Sequence, residues 1–424
     1  MLVRWIYTLL LTLSAPLLLA GLYKKKPGKP TFGSRWKEHF GMTPAISGQN
    51  PIWIHAVSVG ESIAAIPVIK ALKAQYPEQA IIVTTTTSTG AQQVEKLGDL
   101  VEHRYMPIDF AWCIKGFIKK VKPSAMLIME TELWPNTLAT VHHAEIPVIV
   151  MNARLSERSA KRYARFQTVF NLIAKHIDHF LCLHTEDAKR FEKLGVPQAR
   201  LSVTGSVKFD IQIEPQLKEQ SQHLRQQLGQ ERPVWIAAST HKGEDEGILK
   251  AFKQVKQQHP RCLLMLVPRH PERFDDVAKL CRDQQLNCIR RTAGQDVDSS
   301  TDVYLADTMG EMLLLMGAAD ITVMGGSFIG DKVGGHNMLE PAALAKPIIT
   351  GPSYYNFADI TQQLEAAEAL TICADATALA QRLSALFASP EQCTAMGTAA
   401  LAIVKQNQGA VAKTLKVLEQ QLSP

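Results

Sequence analysis

The sequence predicts an α/β protein with two Rossmann-like domains in tandem behind one N-terminal transmembrane helix. Three observations predict it. The 424 residues exceed one ordinary core and match two domains of about 150–200 residues each. Beyond residue 50, short apolar runs alternate with longer segments of helical periodicity, the pattern of parallel sheets covered by helices. From Trp5 to Tyr23 there is no charged residue.

That first segment, as a helix rising about 1.5 Å per residue, just spans a ~30 Å hydrocarbon layer. Lys24, Lys25, Lys26, Lys29, Arg35 and Lys37 follow it, whereas only Arg4 and the amino terminus precede it, so the positive-inside rule puts the body in the cytoplasm. Ala20-Gly21 would suit a cleaved signal peptide, but the basic cluster lies on the wrong side for one. The expected organisation is an anchor over residues 1–23, a first domain over 24–215 and a second over 216–424.

Apolar runs place strands in the first half at Ile52–Ala56, Ala80–Thr84, Val101–Met106, Ala125–Met129, Pro147–Met151, Phe180–Leu183 and Leu201–Thr204. Residues 211–232 carry few large apolar side chains, which puts the domain boundary near 212–220. In the second half, strands are expected at Val234–Ala238, Leu263–Val267, Cys288–Arg291, Val303–Ala306, Ile321–Met324 and Pro347–Thr350. Pro390–Leu422 reads as one or two Ala- and Leu-rich helices that close the fold.

The balance of charge narrows the function. A net charge of +6, with the basic residues spread along the chain, disfavours a dedicated nucleic-acid binder. The seven cysteines form no CxxC pair, so a disulfide framework and a structural zinc site are both disfavoured. His55, His142, His143 and His270 have no metal-ligand spacing, and the nearest approach to a DxD pair is Asp296/Asp298 in a polar loop. Neither a catalytic metal nor an organic cofactor is expected.

From Ile321 the chain runs ITVMGGSFIGDKVGGHNMLEPAALAKPIITGP. An apolar strand ends in Gly325-Gly326-Ser327, a Gly-rich loop follows, and Asn337 opens a helix that stops before Lys346-Pro347. Glycines let backbone approach a ligand closely, and a helix starting after them presents N–H groups and a positive dipole end to phosphate. Glu340, three residues past Asn337, reads either as a capping-box partner or as a carboxylate accepting both ribose hydroxyls of a nucleotide. In LVPRHPERF, Arg269 and His270 follow the carboxyl end of a strand, where open α/β sheets bind ligands; Arg269 reads as a phosphate partner or as a surface cation. After Ala306, Asp307-Thr308-Met309-Gly310-Glu311-Met312 starts another helix at the same edge, with Asp307 as its N-cap.

The first half offers acidic candidates. WIHAVSVGESIAAIPVIKAL turns from a strand into a helix whose first turn holds Glu61. The helix dipole alone accounts for a glutamate there, yet the same carboxylate can take a proton from an attacking hydroxyl. In MLIMETELWPN, Glu130 and Glu132 directly follow an apolar strand, either capping the next helix or placing half-buried charge beside a substrate. NARLSERS brings Asn152, Arg154 and Arg158 to the same edge, and GSVKFD puts Lys208 at the seam between the halves, as a site residue or a solvated charge.

Taken in order, VSVGES, ETELWPN, NARLSERS, GSVKFD, PRHPERF and GGSF…GGHNMLEPAALAKPIITGP resemble the 3-deoxy-D-manno-octulosonic acid (Kdo) transferases of Gram-negative lipopolysaccharide assembly. The resemblance covers nearly the whole chain, and six ordered motifs are far more specific than any one. It implies the glycosyltransferase fold called GT-B, two Rossmann-like domains facing across a cleft. The implied reaction is inverting transfer of one or two Kdo residues from CMP-Kdo to lipid IVA, the lipid A precursor. The implied place is the bacterial inner membrane, held by a single pass with the catalytic body on the cytoplasmic side. Glu61 matches the proposed general base, and Glu130 and Lys208 match positions thought to support the transition state. The implied CMP site comprises Pro268, Arg269, His270, Met309, Gly310, Glu311, Ser327, Asn337, Met338, Leu339 and Glu340; at Met338 a proline would be expected. Two alternatives on the same fold stay open: a GT-B enzyme using a UDP-sugar on another lipid acceptor, and a sugar-nucleotide epimerase.

Overall fold

The computed structural model describes residues 2–24 and 30–422, so Lys25, Lys26 and Lys29 of the expected basic cluster lie outside the described residues. The chain forms two compact units. One holds the residues up to Asp210 together with those from Gln408 onward, and the other is Ile211–Asn407.

In the first unit, β1 (Ile52–His55), β2 (Ile81–Thr85), β3 (Glu102–Tyr105), β4 (Ala125–Met129), β5 (Val148–Ala153), β6 (His179–Cys182) and β7 (Leu201–Val203) form one parallel sheet. Their order is β3-β2-β1-β4-β5-β6-β7. Both faces are covered. Trp53, Met126, Ile128 and Val148 enter one core, and Ile54, Leu127, Met129 and Ile149 enter the other, which is why the strands read as continuous apolar runs. The chain winds outward from β1 to β3 and returns to β4 on the other side of β1. The topological switch point, where open α/β sheets bind ligands at the strands' carboxyl ends, therefore lies between β1 and β4.

The last helix, Ala410–Leu422, packs on the helix Val59–Gln75 in this first unit, with Ala410 and Leu418 in its core. The expected second domain of 216–424 thus loses its tail. Asp210 explains the return: its carboxylate accepts the N–H groups of Gly409 and Val411 at 2.6 and 2.5 Å, tying the chain back to the first unit.

The second unit repeats the plan with β8 (Val234–Thr240), β9 (Leu263–Pro268), β10 (Cys288–Arg290), β11 (Val303–Leu305), β12 (Ile321–Met324), β13 (Ile348–Thr350) and β14 (Leu370–Ile372). All pair in parallel, in the order β10-β11-β9-β8-β12-β13-β14, so the switch point falls between β8 and β12. Strand β14 has no counterpart in the sequence reading, because it is three residues long, sits at the sheet edge and is only partly buried. At the amino end, Leu2–Tyr23 is a single helix, and its stretch from Val3 to Tyr23 is long and apolar enough to cross a membrane.

Candidate active site

The loops after β1 and β4 hold the acidic residues at the first sheet's switch point. Ser58 caps the helix Val59–Gln75 by accepting the Glu61 N–H at 3.3 Å, and its hydroxyl donates to Glu61 Oε1 at 2.8 Å. The Val57 N–H donates to Glu61 Oε2 at 2.8 Å. The cap thus fixes a carboxylate that is only 7% exposed. Burial pushes its pKa up, and the negative charges of Glu130 and Glu132 push the same way against the two hydrogen bonds.

Glu130 sits at φ +59°, a left-handed conformation that costs a non-glycine residue about 1–3 kcal/mol. Its N–H donates to the Met151 carbonyl at 2.8 Å, and its carboxylate pairs with Lys208 Nζ at 3.0 Å. Lys208 lies in the turn Val207–Phe209, which packs against the helix that carries Glu61. Glu132 accepts from Trp134 Nε1 at 3.2 Å, and Trp134 stands edge-on to the ring of buried His55. Burial lowers the His55 pKa to about 4, so this ring is neutral.

From the sequence, Asn152 belongs to a polar loop. In the structure it is 2% exposed, sits at φ +55° beside a register shift between β5 and β6, and leaves its Oδ1 without a partner. Such a buried orphan costs about 1–3 kcal/mol. Two strained residues, Glu130 and Asn152, thus stand at neighbouring strand ends. An asparagine directly after an apolar run was the available signal, because Asn is among the few residues that tolerate positive φ.

In the second unit the residue that organises the edge is Glu244, which sequence reasoning passed over. It is 2% exposed, and its carboxylate accepts the N–H groups of His241, Gly326, Ser327 and Phe328 at 2.7–2.9 Å. The expected phosphate cradle is corrected by this contact: the loop amides already bind a carboxylate of the protein itself. Ser327 is fully buried, its hydroxyl donating to the Met324 carbonyl at 2.6 Å and accepting the Gly351 N–H at 2.8 Å. Gly325 is required for a different reason than ligand approach, since a Cβ there would come within 2.7 Å of the Ser239 carbonyl oxygen.

Around this loop the structure gathers three imidazoles and Arg269. His241 and His336 stack with Nε2 atoms 2.9 Å apart, and His270 stands edge-on to His241 at 5.2 Å. Burial lowers the His336 pKa to about 3, helped by the Arg269 charge, and burial lowers the His241 pKa as well, so both rings of the stacked pair favour the neutral form. Arg269 is exposed and follows Pro268, the buried last residue of β9. Its charge also reaches Glu340, whose pKa burial raises against the pull of Asn337 and Arg269.

The Asn337–Glu340 segment differs from expectation. Its helix is only Leu339–Ala343 and starts after Met338, not at Asn337. Asn337 accepts the Leu339 N–H and donates its amide to Glu340 Oε1, both at 3.2 Å, so the glutamate holds the asparagine side chain instead of its backbone. Met338 and Leu339 are buried, and the Leu339 N–H is taken by Asn337. After β11, Met309 is exposed, Gly310 sits at φ +86°, and Glu311 forms a forked pair with Arg291 at 2.6 and 2.7 Å. Their helix begins at Met312. Asp307 is not its cap, because the Arg290 guanidinium and the Thr292 N–H hold it at 2.7 and 2.9 Å.

The sequence profile of the 3-deoxy-D-manno-octulosonic-acid transferases matches residues 34–211, and that of the group 1 glycosyltransferases matches residues 236–402. The chain is 39% identical over 420 residues to a 3-deoxy-D-manno-octulosonic acid transferase of Haemophilus influenzae, covering 98% of each chain. It is 33% identical to the corresponding protein of Bordetella pertussis, covering 98% of this chain and 99% of that one. The solved UDP-GlcNAc 2-epimerase of Neisseria meningitidis, bound to UDP-GlcNAc, superposes with a TM-score of 0.55 over 88% of this chain and 99% of that one. At 15% identity it shares the fold alone. With near-complete coverage by relatives above 30% identity, and two parallel seven-stranded sheets, this chain belongs to the Kdo transferase family of glycosyltransferases.

Proposed function

We propose that the protein transfers Kdo from CMP-Kdo to lipid IVA with inversion at the sugar's anomeric carbon, and that Glu61 is the base. The observation that carries this reading is Glu61 itself: a buried carboxylate at the switch point, oriented by Val57 and Ser58, with the Glu130–Lys208 pair alongside. A hydroxyl of the acceptor attacks the anomeric carbon and gives its proton to Glu61. The new C–O bond forms as the bond to the CMP phosphate oxygen breaks, and the phosphate leaves with the electron pair. Lys208 is suited to the carboxylate of Kdo, and Arg269 to the departing phosphate, where a charge-assisted hydrogen bond contributes about 1.5–3 kcal/mol. Pro268, His270, Met309, Gly310, Glu311 and Asn337–Glu340 are proposed to complete the nucleotide site.

A lipid acceptor is supported by a cavity of about 800 Å³ in the first unit, lined by Leu17, Leu18, Leu22 and Tyr23 of the N-terminal helix, by Phe32 and Trp36, and by Thr86–Thr89. It adjoins the base: Thr86 Oγ1 donates to the Val57 carbonyl at 3.0 Å, in the loop that leads to Glu61. The apolar N-terminal helix is suited to hold the enzyme at the inner membrane, and the basic residues that follow it favour the anionic cytoplasmic leaflet, with the body on that side. The test is to incubate the protein with CMP-Kdo and lipid IVA and weigh the lipid. One or two Kdo increments are expected. An unchanged lipid, or turnover only with a UDP-sugar, would overturn the reading.

A further inference from the structure

We infer that the N-terminal helix lies in the plane of the membrane, docked lengthwise on the first unit, and does not cross the bilayer. The inference rests on the proposal that this helix is membrane-bound, and is independent of which sugar or acceptor the enzyme uses.

The helix touches the body at both of its ends. Near its start, Asn136 Nδ2 donates to Thr8 Oγ1 at 2.9 Å, and Tyr7 hydrogen-bonds to Asp109. Asp109 is itself 5% exposed and accepts the N–H groups of Asn136 and Thr137 at 3.2 and 2.6 Å, so it is an integral part of the folded unit. At the other end, the Tyr23 hydroxyl meets His39 Nδ1 at 2.9 Å. Tyr7 and Tyr23 are separated by about 24 Å of helix axis. If the helix stood along the membrane normal with Tyr23 at one interface, Asp109 and Asn136 would be carried most of the way through the hydrocarbon, where polar loops of a water-soluble unit are not tolerated.

Exposure around the helix agrees. Arg4, Tyr7, Thr8, Leu11, Ala15 and Leu22 are half-covered along one helical stripe, at the spacing of a face laid against a surface. The opposite face is bare and apolar, with Trp5, Leu9, Leu10, Leu13 and Leu17 between 60% and 79% exposed, while Leu18, on the covered stripe, is 56% exposed where it lines the cavity. Two tryptophans of the body's segments near the helix are exposed. Trp36 lines the same cavity as Leu17 and Leu18, and Trp112 follows Asp109 by three residues and stacks on Phe40 and Phe110. A bare apolar stripe with exposed tryptophan nearby fits the boundary between headgroups and acyl chains, into which such a face sinks about 5–10 Å.

The experiment places a protease-cleavable epitope at the amino terminus and treats membrane vesicles of both orientations with an impermeant protease. In-plane docking predicts that epitope and body are cut from the same face and that both are protected from the other. Cutting of the epitope only from the face opposite the body would overturn the inference in favour of a spanning helix. Release of the intact protein by a mild salt wash would instead overturn the membrane reading beneath it. Replacing Trp36→Ala together with Trp112→Ala separates the two geometries again: vesicle binding should fall several-fold, and unchanged binding would count against the in-plane surface.

Discussion

Two glutamates occupy equivalent places in the two units and do opposite things. Glu61 follows β1 and Glu244 follows β8, each the first strand of its sheet and each beside the switch point. Glu244 accepts four backbone N–H groups, so its charge is fully answered and it serves as a strut for the loop Gly326–Phe328. Glu61 accepts from one backbone N–H and one hydroxyl, and faces two like charges. Through the number of donors supplied, the same scaffold makes one carboxylate structural and leaves the other with the spare capacity that its proposed role as base requires. The surroundings follow suit: carboxylates and Lys208 at the first edge, Arg269 and neutral imidazoles at the second, one suited to taking a proton and the other to an anion.

The contrast can be broken at several points. Lys208→Met removes the cation at the acidic edge and should slow transfer by about 10²–10³-fold. Its exposed pairing with Glu130 is worth at most about 1 kcal/mol, so melting should barely move. An unchanged rate would reduce Lys208 to a solvated charge. Glu244→Gln puts an amide where four N–H donors converge and should destabilise the second unit by roughly 3 kcal/mol, visible as a lower denaturation midpoint together with weaker CMP binding. A variant as stable as the parent would remove the strut. Arg269→Ala should weaken CMP binding about 10- to 100-fold in calorimetry with no loss of stability; full affinity would leave it a surface cation.

The smallest effect concerns pH. Burial raises the Glu61 pKa, so the fold favours the protonated form. Its stabilising contribution is complete below the ordinary glutamate range and is lost as pH rises through the raised value. Glu61→Gln, which mimics the protonated form, should therefore raise the melting temperature more at pH 8 than at pH 4. The reverse order would show that Glu61 is not held above its ordinary value.

Much of the fold was legible because buried parallel strands are apolar throughout: Ala125–Met129 and Ile321–Met324 read directly as strands and are strands. The ends were harder. Strand β14 is too short to stand out, and the return of Ala410–Leu422 to the first unit depends on Asp210, a contact spanning about half the chain that no local pattern signals. At the candidate site, the position of Glu61 was legible from its strand-to-helix turn. The Gly325–Ser327 loop was legible as a glycine-dependent turn, but its donors' partner was not, since Glu244 lies 82 residues from Gly326 in sequence. Orphaned Asn152 could be recognised only once burial was known.

The central claim is that Glu61 takes the proton of the acceptor hydroxyl. The pH dependence of kcat/KM for Kdo transfer, measured for the parent and for Glu61→Gln with CMP binding followed alongside, tests it most directly. The parent should gain activity as pH rises through a midpoint above the ordinary glutamate range. The variant should bind CMP normally, lose that limb and transfer at least about 100-fold more slowly throughout. A variant within a few-fold of the parent, or one that keeps the same acid limb, would contradict it.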